Sequence, residues 1–307
     1  AVINQCIFSY VDQYRDTIRH GFDYNHFRLN IDEGQLRNFL ILGDTIEFDV
    51  ATLLVQDEKT NFRIKQLSTF FRISQASMEF LGLDLQAGES TIADTVIFTY
   101  NSQLDLQEFV DKVRIHANLN NTTIYPKDLE LFARGTEKIG QPVKLKGTFN
   151  GRIRKFKFTD MEAAIGNSRL LGALDMDGLP DINETFIILN LRNSQLEFED
   201  FRFLFNEKIM SRLRPFDKFD LNGQFLGYPT DFVATGDFQG NLGRIKSDIN
   251  FKVNEEDIDR SLYTGRLTMI NFDLGAYFND TLTFQKVNLD GRISGSGLTQ
   301  ETANFRL

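Results

Sequence analysis

The residues of this chain that are best suited to bind a metal form one acidic stretch. Asp175-Met176-Asp177-Gly178, with Asp181, Asn183 and Glu184 nearby, offers clustered oxygen atoms beside a glycine turn, as a hard cation such as Ca²⁺ requires. The spacing is not that of an EF-hand, and Pro180 interrupts the loop. We therefore favour a polar turn between two strands, and we expect neither a metal nor a cofactor.

The carboxylates and histidines form no catalytic arrangement that their spacing supports. Glycosidic hydrolysis needs two carboxylates across a cleft, but an acidic chain offers many candidates besides Glu197, Glu199 and Asp200. No ligand pattern or nucleophile-base pattern includes the histidines, which are His20, His26 and His116. The acidic run of Glu255, Glu256, Asp257 and Asp259 is typical of an exposed hairpin loop. We expect that the protein is not an enzyme.

The composition excludes several classes of partner. The net charge is −9, and Lys and Arg are scattered among Asp and Glu, so no basic stripe can follow a phosphate backbone. We therefore expect no nucleic acid. The 30 Phe residues, against 8 Tyr and no Trp, favour apolar linings over sugar-stacking platforms. Cys6 is the only cysteine, which excludes an internal disulfide and a thiolate metal site.

Alternating apolar and polar residues predict strands along most of the chain. Residues 45–50, 81–85 and 266–269 alternate in this way, and similar stretches recur from about Phe27 onward. Turn signals such as Asn150-Gly151 and Asn222-Gly223 separate them. The connections are too short for helical crossovers, so neighbouring strands are expected to be mostly antiparallel.

Helical signals are few. Ile3, Ile7, Val11, Tyr14 and Ile18 recur at helical spacing, which indicates a weak helix although these residue types also form strands. Residues 103–113 show a clear apolar helical face, and Pro126 suits the first position of a short helix through Phe132. Residues 205–213 predict another. These helices are expected to connect strands at the ends or edges of the sheet.

One pattern occurs three times with the same register. Residues 143–151, 219–227 and 287–295 each place apolar side chains and two glycines at every second position. The glycines are Gly147, Gly151, Gly223, Gly227, Gly291 and Gly295. On a strand these positions share one face, and glycines on a concave face allow a sheet to curl. The copies are 76 and 68 residues apart, so each repeat is expected to be a meander of several strands.

These motifs resemble those of the TamB and AsmA-like envelope proteins. The resemblance rests on the three repeated openings, on Phe272-Asp273-Leu274-Gly275 and on residues 289–299. Residues 22–29 are similar to forms from the Bacteroidetes. The resemblance implies a long U-shaped sheet, open along one side, that spans the periplasm and carries lipid tails along its apolar interior. It also implies an inner-membrane anchor outside this chain and an outer-membrane β-barrel protein as a partner.

The sequence and the resemblance together predict the fold class. It is an all-β protein, an elongated and curled antiparallel sheet with an open groove, built from loose repeats and a few short helices. We expect an N-terminal β segment over residues 1–134 and a repeat segment over 135–307. The repeat units lie near 141–205, 217–275 and 286–307, continuous with the first segment. We also expect the chain to be a segment of a longer protein.

The functional hypothesis is a non-enzymatic periplasmic conduit whose groove contacts the acyl chains of phospholipids or similar lipids and supports outer-membrane biogenesis. The predicted lining residues are Ile46, Phe48, Val50, Leu81, Leu83, Leu85, Val143, Leu145, Phe149, Leu221, Phe225, Leu267, Met269, Leu289 and Ile293. The alternative is a structural β-scaffold for envelope protein assembly, in which the same residues form a packed core. Period-2 hydrophobicity alone is compatible with both.

Overall fold

The computed structural model describes residues 1–132, 136–297 and 304–306. The chain is all-β, a single antiparallel sheet with a few short helices, and this sheet does not close into a barrel within the described residues. It divides into two compact units, Ala1–Ile153 (unit 1) and Arg154–Leu307 (unit 2). The division falls after Ile153, whereas the sequence placed it at residues 134 and 135. Residues 133–135 and 298–303, which include the predicted boundary and part of the last repeat unit, lie outside the described residues.

Unit 1 is an antiparallel meander of eight strands in which each strand pairs with the next along the chain. The strands are β1 Val2–Val11, β2 His26–Leu42, β3 Thr45–Asp57, β4 Arg63–Ile73, β5 Ser77–Ala87, β6 Ser90–Thr99, β7 Arg114–Ile124 and β8 Val143–Arg152.

Unit 2 is built in the same way from nine strands. They are β9 Lys155–Ile165, β10 Ser168–Asp177, β11 Phe186–Glu197, β12 Lys218–Tyr228, β13 Asp231–Gly240, β14 Gly243–Lys252, β15 Leu262–Asp273, β16 Lys286–Ser296 and β17 Asn304–Arg306. Short hairpin turns join most neighbours, which explains why the meander is antiparallel. The turns predicted at Asn150-Gly151 and Asn222-Gly223 are wrong, because these residues lie within β8 and β12.

Short helices occupy the longer connections, where the sequence predicted three of them. A 3₁₀ helix at Gln103–Glu108 runs into α1 at Phe109–Lys112, and Ser102 and Asp105 form a capping box at its start. The other α-helices are α2 Pro126–Leu129, α3 Glu207–Leu213 and α4 Leu274–Phe278. Further 3₁₀ turns cover Thr136–Ile139, Phe198–Leu204, Arg214–Phe216 and Ile258–Arg260. Proline opens α2 as predicted, but that helix ends at Leu129 and not at Phe132.

The helix predicted from Ile3 to Ile18 is wrong. Residues 2–11 form β1, which pairs with β2 from Val2 opposite Gln35 to Val11 opposite His26. The Val, Ile, Phe and Tyr residues that produced the helical spacing are also strong strand formers, and pairing with β2 decides between the two.

Bulges interrupt many of the strands, and they carry residues with positive φ. Asn38 (φ 53°), Gly82 (φ 59°) and Asn121 (φ 52°) lie at register shifts in unit 1. Asn193 (φ 48°) and Asn271 (φ 50°) do so in unit 2. Glycine and asparagine are the residues that adopt this conformation most readily, so these positions suit bulges. Each bulge reverses the face to which the following residues point.

Candidate functional site

One face of the unit 2 sheet is apolar across eight strands. Residues directly opposite each other in an antiparallel pair point to the same face, so the register of each pair assigns every side chain. Phe219, Leu221 and Phe225 of β12 define this apolar face, and Phe238, opposite Leu221, continues it into β13. Among the described residues of β9 to β16, the apolar face carries no Asp, Glu, Lys, Arg or His.

The few polar groups on this face are already satisfied by the sheet. The hydroxyl of Ser247 donates to the carbonyl oxygen of Ala234 at 3.0 Å, and that of Ser194 donates to the carbonyl oxygen of Leu171 at 3.2 Å. The apolar face therefore presents hydrocarbon and no free hydrogen-bonding group at these positions.

The opposite face of unit 2 is charged and forms ion pairs between neighbouring strands. Arg244 Nε donates to Asp237 Oδ1 at 2.7 Å, and this hydrogen bond, with the positive charge, lowers the pKa of Asp237 below its usual range. Lys157 lies 2.7 Å from Asp175, and Lys155 lies 2.6 Å from Asp177. This distribution identifies the charged face as the solvated one.

Unit 1 has an equivalent apolar face. Its residues include Ile46, Phe48, Val50, Phe71, Phe80, Leu83, Leu85, Val96, Phe98, Ala117, Leu119, Val143, Leu145 and Phe149. Two charged residues, Asp57 and Asp94, are also assigned to this face by the strand pairing. Asp57 is at a strand end, where it accepts hydrogen bonds from Thr60, and Asp94 has a φ of 97° at a register shift. The face is therefore uncharged over most of β3 to β8.

All the predicted lining residues except Leu81 lie on the apolar face of their unit, and all of them are buried or half-buried. Leu81 lies opposite Phe70, whereas its neighbour Phe80 lies opposite Phe71 on the apolar face. The bulge at Gly82 restores Leu83 to the apolar face and leaves Leu81 on the other. The placement of Leu81 in the lining was therefore wrong.

The predicted glycines lie on the apolar face, and the structure shows why side chains are absent there. A Cβ atom at Gly223 would lie 2.6 Å from the carbonyl oxygen of Thr235, and one at Gly227 would lie 2.4 Å from that of Asp231. A side chain at either position would overlap the backbone of the adjacent strand, so only glycine fits there. Gly147 and Gly151 have φ values of 138° and 142°. Gly291 and Gly295 lie opposite Leu267 and Tyr263.

Further glycines with the same geometry were not part of the predicted set. A Cβ atom at Gly172 would lie 1.8 Å from the carbonyl oxygen of Asn190, and one at Gly265 would lie 2.1 Å from that of Asp248. Gly236 lies directly opposite Gly223, where a Cβ atom would be 2.9 Å from the Gly223 Cα. Close approach thus recurs at several strand pairs of unit 2.

Rows of aromatic rings cross the strands on both apolar faces. In unit 1 the ring centroids of neighbours are 5.1–6.1 Å apart along Phe39, Phe48, Phe71, Phe80, Phe98 and Phe109. In unit 2 they are 4.6–5.8 Å apart along Phe225, Phe232, Phe251 and Tyr263. Sequence reasoning found only Phe48 and Phe225 of these rows. The high Phe content was the available signal, but which rings are neighbours depends on the strand pairing and, in unit 1, on the bulges.

A buried carboxylate holds one hairpin turn in each of two repeats, an arrangement that we call the carboxylate clasp. In unit 1, Asp128 of α2 accepts hydrogen bonds at Oδ2 from the backbone N–H of Glu89 and of Ser90, each at 2.8 Å. The Ser90 hydroxyl donates to the same oxygen at 2.7 Å. The clasp fixes the β5–β6 hairpin to the helix that follows β7.

Unit 2 repeats the clasp with Asp200, which accepts from the backbone N–H of Asn167 at 2.9 Å and from the Ser168 hydroxyl at 2.7 Å. In a third copy the backbone replaces the carboxylate, because the N–H of Asp273 donates to the carbonyl oxygen of Leu242 at 2.7 Å. Asp128, Asp200 and Asp273 follow β7, β11 and β15 and are 72 and 73 residues apart. The loose sequence repeat is therefore four strands followed by a helical connection.

The structure assigns other roles to the residues that were considered for chemistry. Asp175 and Asp177 are paired with lysines, Glu199 lies 3.0 Å from Arg214, and Asp200 belongs to a clasp. His26 lies beside Asp23, whose carboxylate accepts hydrogen bonds from the backbone N–H groups of His26, Asn25 and Ile18. The described residues contain no group of three or more His, Cys, Asp or Glu side chains that can hold a metal ion.

Among the helices that the structure describes, none combines the length and the hydropathy required to cross a membrane. No family model matches the chain, and no curated protein or solved structure matches it.

Proposed function

We propose that the apolar faces of both units bind the acyl chains of phospholipids or similar lipids, and that the chain is a TamB and AsmA-like conduit segment in the periplasm. The observation that carries this proposal is the absence of charge along the apolar face of β9 to β16. Eight strands of about ten residues correspond to a face on the order of 1,000 Å². Side chains such as Leu221 and Ile293 are buried on this face, whereas others such as Phe225 and Leu289 are half-buried, so part of the face remains accessible to a ligand.

The chemistry of the face favours an acyl chain over a peptide as its occupant. The strand backbones are paired within the sheet, and the hydroxyls of Ser194 and Ser247 donate to backbone carbonyls. A peptide lying on this face would lose hydration of its own N–H and C=O groups without gaining partners. An acyl chain has no such groups, and each methylene removed from water contributes about 0.8 kcal/mol.

A uniform lining also suits movement without chemistry. Neighbouring positions along a row such as Phe225, Phe232 and Phe251 present similar rings at similar spacing. A bound chain therefore exchanges one set of contacts for an equivalent set as it moves, and its free energy changes little. The headgroup stays in water at the open side of the sheet. In this proposal the face connects the inner and outer membranes of the envelope.

Adjacent residues of β12 provide the test. Phe225 lies on the apolar face, whereas Leu226, 37% exposed, lies on the charged face of the same strand. We expect Phe225→Asp to reduce the lipid that co-purifies under mild conditions, measured by mass spectrometry, and to slow transfer of a fluorescent phospholipid between vesicles. The reduction should be about tenfold, because a hydrated carboxylate displaces at least two methylenes from the lining.

Leu226→Asp is the matched control and should leave both measurements unchanged, and Phe149→Asp with Thr148→Asp repeats the comparison in unit 1. Circular dichroism confirms that each variant is folded. A purified protein without lipid, or equal lipid in folded Phe225→Asp and Leu226→Asp variants, would refute the conduit. That result would favour a structural β-scaffold for envelope protein assembly.

A further inference from the structure

Residues 198–216, here called the strap, connect β11 to β12 and pack on the apolar face of unit 2. The ring centroids of Phe198 and Phe219 are 5.1 Å apart, and those of Phe216 and Phe272 are 6.2 Å apart. Met210, in α3 of the strap, is fully buried. The base of the strap is fixed to the β13–β14 turn, because Asn241 Nδ2 donates to the carbonyl oxygen of Pro215 at 3.0 Å.

A cavity of about 220 Å³ lies between the strap and the sheet. Phe198, Leu213 and Phe216 line it from the strap, and its floor includes Phe238 and Ile245 of the apolar face. The cavity lining is therefore continuous with the proposed acyl-chain surface. A dry apolar cavity of 150 Å³ holds benzene, so this volume accommodates about six to eight carbons of a chain.

The far part of the strap is held by ion pairs to the acidic loop between β14 and β15. Lys208 Nζ lies 2.7 Å from Asp257 and 3.2 Å from Asp259, and Arg212 lies 3.8 Å from Asp259. β14 begins at Gly243, beside the base of the strap, and ends at Lys252, just before the acidic loop. The strap starts at one end of the strands, and the acidic loop lies at the other end. The ion pairs between them therefore hold the strap across the apolar face.

We propose that the cavity is a compartment for the methyl end of a saturated acyl chain, with the strap as its cover. The proposal rests on the proposed function and adds an end point to it, since a chain lying on the apolar face inserts its last carbons beneath the strap. The compartment then makes binding in unit 2 depend on chain length, which a uniform open face alone does not.

The experiment varies the space beneath the strap in the full chain. Saturated fatty acids of 8 to 18 carbons are titrated against the wild type, Leu213→Phe and Leu213→Ala. In the wild type, affinity should rise about fourfold per methylene until the compartment is filled. Leu213→Phe should stop this rise about two carbons earlier, and Leu213→Ala about two carbons later.

Leu204→Phe is the matched control, because Leu204 lies on the same strap, is 58% exposed and is not part of the cavity lining. Its chain-length profile should equal that of the wild type. If fatty acids bind but the three profiles coincide, the compartment is refuted and the apolar face stands. If no fatty acid binds to the wild type, the proposed function fails and the compartment with it.

Charge reversal tests whether the ion pairs hold the cover. Lys208→Asp should accelerate dissociation of a bound nitroxide-labelled stearic acid about two- to fivefold, the range expected for exposed ion pairs. Lys208→Asp with Asp257→Lys should restore slow dissociation. Lys252→Asp, which removes an ion pair with Asp231 on the charged face, is the control and should have no effect. Equal rates in all variants would show that the strap does not control access.

Discussion

Strands β2 to β8 of unit 1 and β12 to β15 of unit 2 depart from a regular antiparallel ladder by different means. Register shifts interrupt β2–β3, β4–β5, β5–β6, β6–β7 and β7–β8, and the bulges there carry Asn38, Gly82 and Asn121. The pairs β12–β13, β13–β14 and β14–β15 keep one register throughout. Glycines at close approaches replace the bulges in this part of unit 2.

The difference has a consequence for what each face can carry. A bulge bends a strand without removing a side chain, so unit 1 retains an unbroken row of five Phe rings across β2 to β6, which Phe109 of α1 extends. A glycine removes a side chain, so the apolar face of unit 2 has bare positions beside its aromatic row, such as the facing Gly223 and Gly236. Local strand geometry in unit 1 should therefore depend on backbone conformation, and in unit 2 on the absence of a Cβ atom.

The largest expected effect comes from adding that Cβ atom in unit 2. Gly265→Ala places it 2.1 Å from the carbonyl oxygen of Asp248 at a φ of 154°, so both steric overlap and backbone strain oppose the native structure. We expect the free energy of unfolding to fall by about 3 kcal/mol or more in urea titrations followed by circular dichroism. A loss below about 1 kcal/mol would show that the strands are not held at this separation.

Removing a carboxylate clasp should have the next largest effect on stability, and the effect should be similar in both units. Asp128→Ala removes the acceptor of the Glu89 and Ser90 N–H groups and of the Ser90 hydroxyl, and Asp200→Ala removes the acceptor of the Asn167 N–H group and of the Ser168 hydroxyl. We expect losses of about 2–3 kcal/mol, because hydrogen bonds to a charged group are involved. Hydrogen exchange should increase at the β5–β6 hairpin in the first variant and at the β9–β10 hairpin in the second. If either variant showed increased hydrogen exchange at both hairpins, the two clasps would not be independent of each other.

The smallest expected effect is at a bulge of unit 1. Gly82 has a φ of 59°, but a Cβ atom there meets no atom within 4 Å. Gly82→Ala should therefore cost only the strain of the left-handed conformation, about 1 kcal/mol, and Gly82→Asn should cost less. Urea titration gives both values. If Gly82→Ala is as damaging as Gly265→Ala, the two regions do not depart from a regular ladder by different means.

The sequence predicted the strands from about Phe27 onward, the antiparallel pairing, three connecting helices and the alternating apolar positions, because all of these follow from local patterns. Leu81 shows the limit of that reasoning. Its alternation with Leu83 and Leu85 is perfect in the sequence, yet one bulge at Gly82 places it on the opposite face. Whether a glycine or asparagine inside a strand forms a bulge depends on the neighbouring strand, which period-2 analysis does not include.

The strap and the clasps were beyond prediction for a related reason. Lys208 and Asp257 are 49 residues apart, and Asp128 and Ser90 are 38 apart, so only the assembled meander brings them together. The Asp residues of the repeat lie at 72- and 73-residue intervals, but the more conspicuous glycine motifs have spacings of 76 and 68 residues. The helical connections absorb that variation because they differ in length.

The four-strand repeat makes this architecture modular in length. In unit 2, β12 to β15 lie between two helical connections. Both connections are at the same end of the strands, because an even number of antiparallel strands returns the chain to the end from which it started. Inserting one more set of four strands would extend a sheet by about 19 Å in the hydrogen-bonding direction. The apolar face would remain on the same side of the sheet, and the helical connections would remain at the same end of the strands. Gene duplication can therefore adjust the reach of such a protein in fixed steps without redesigning its surface.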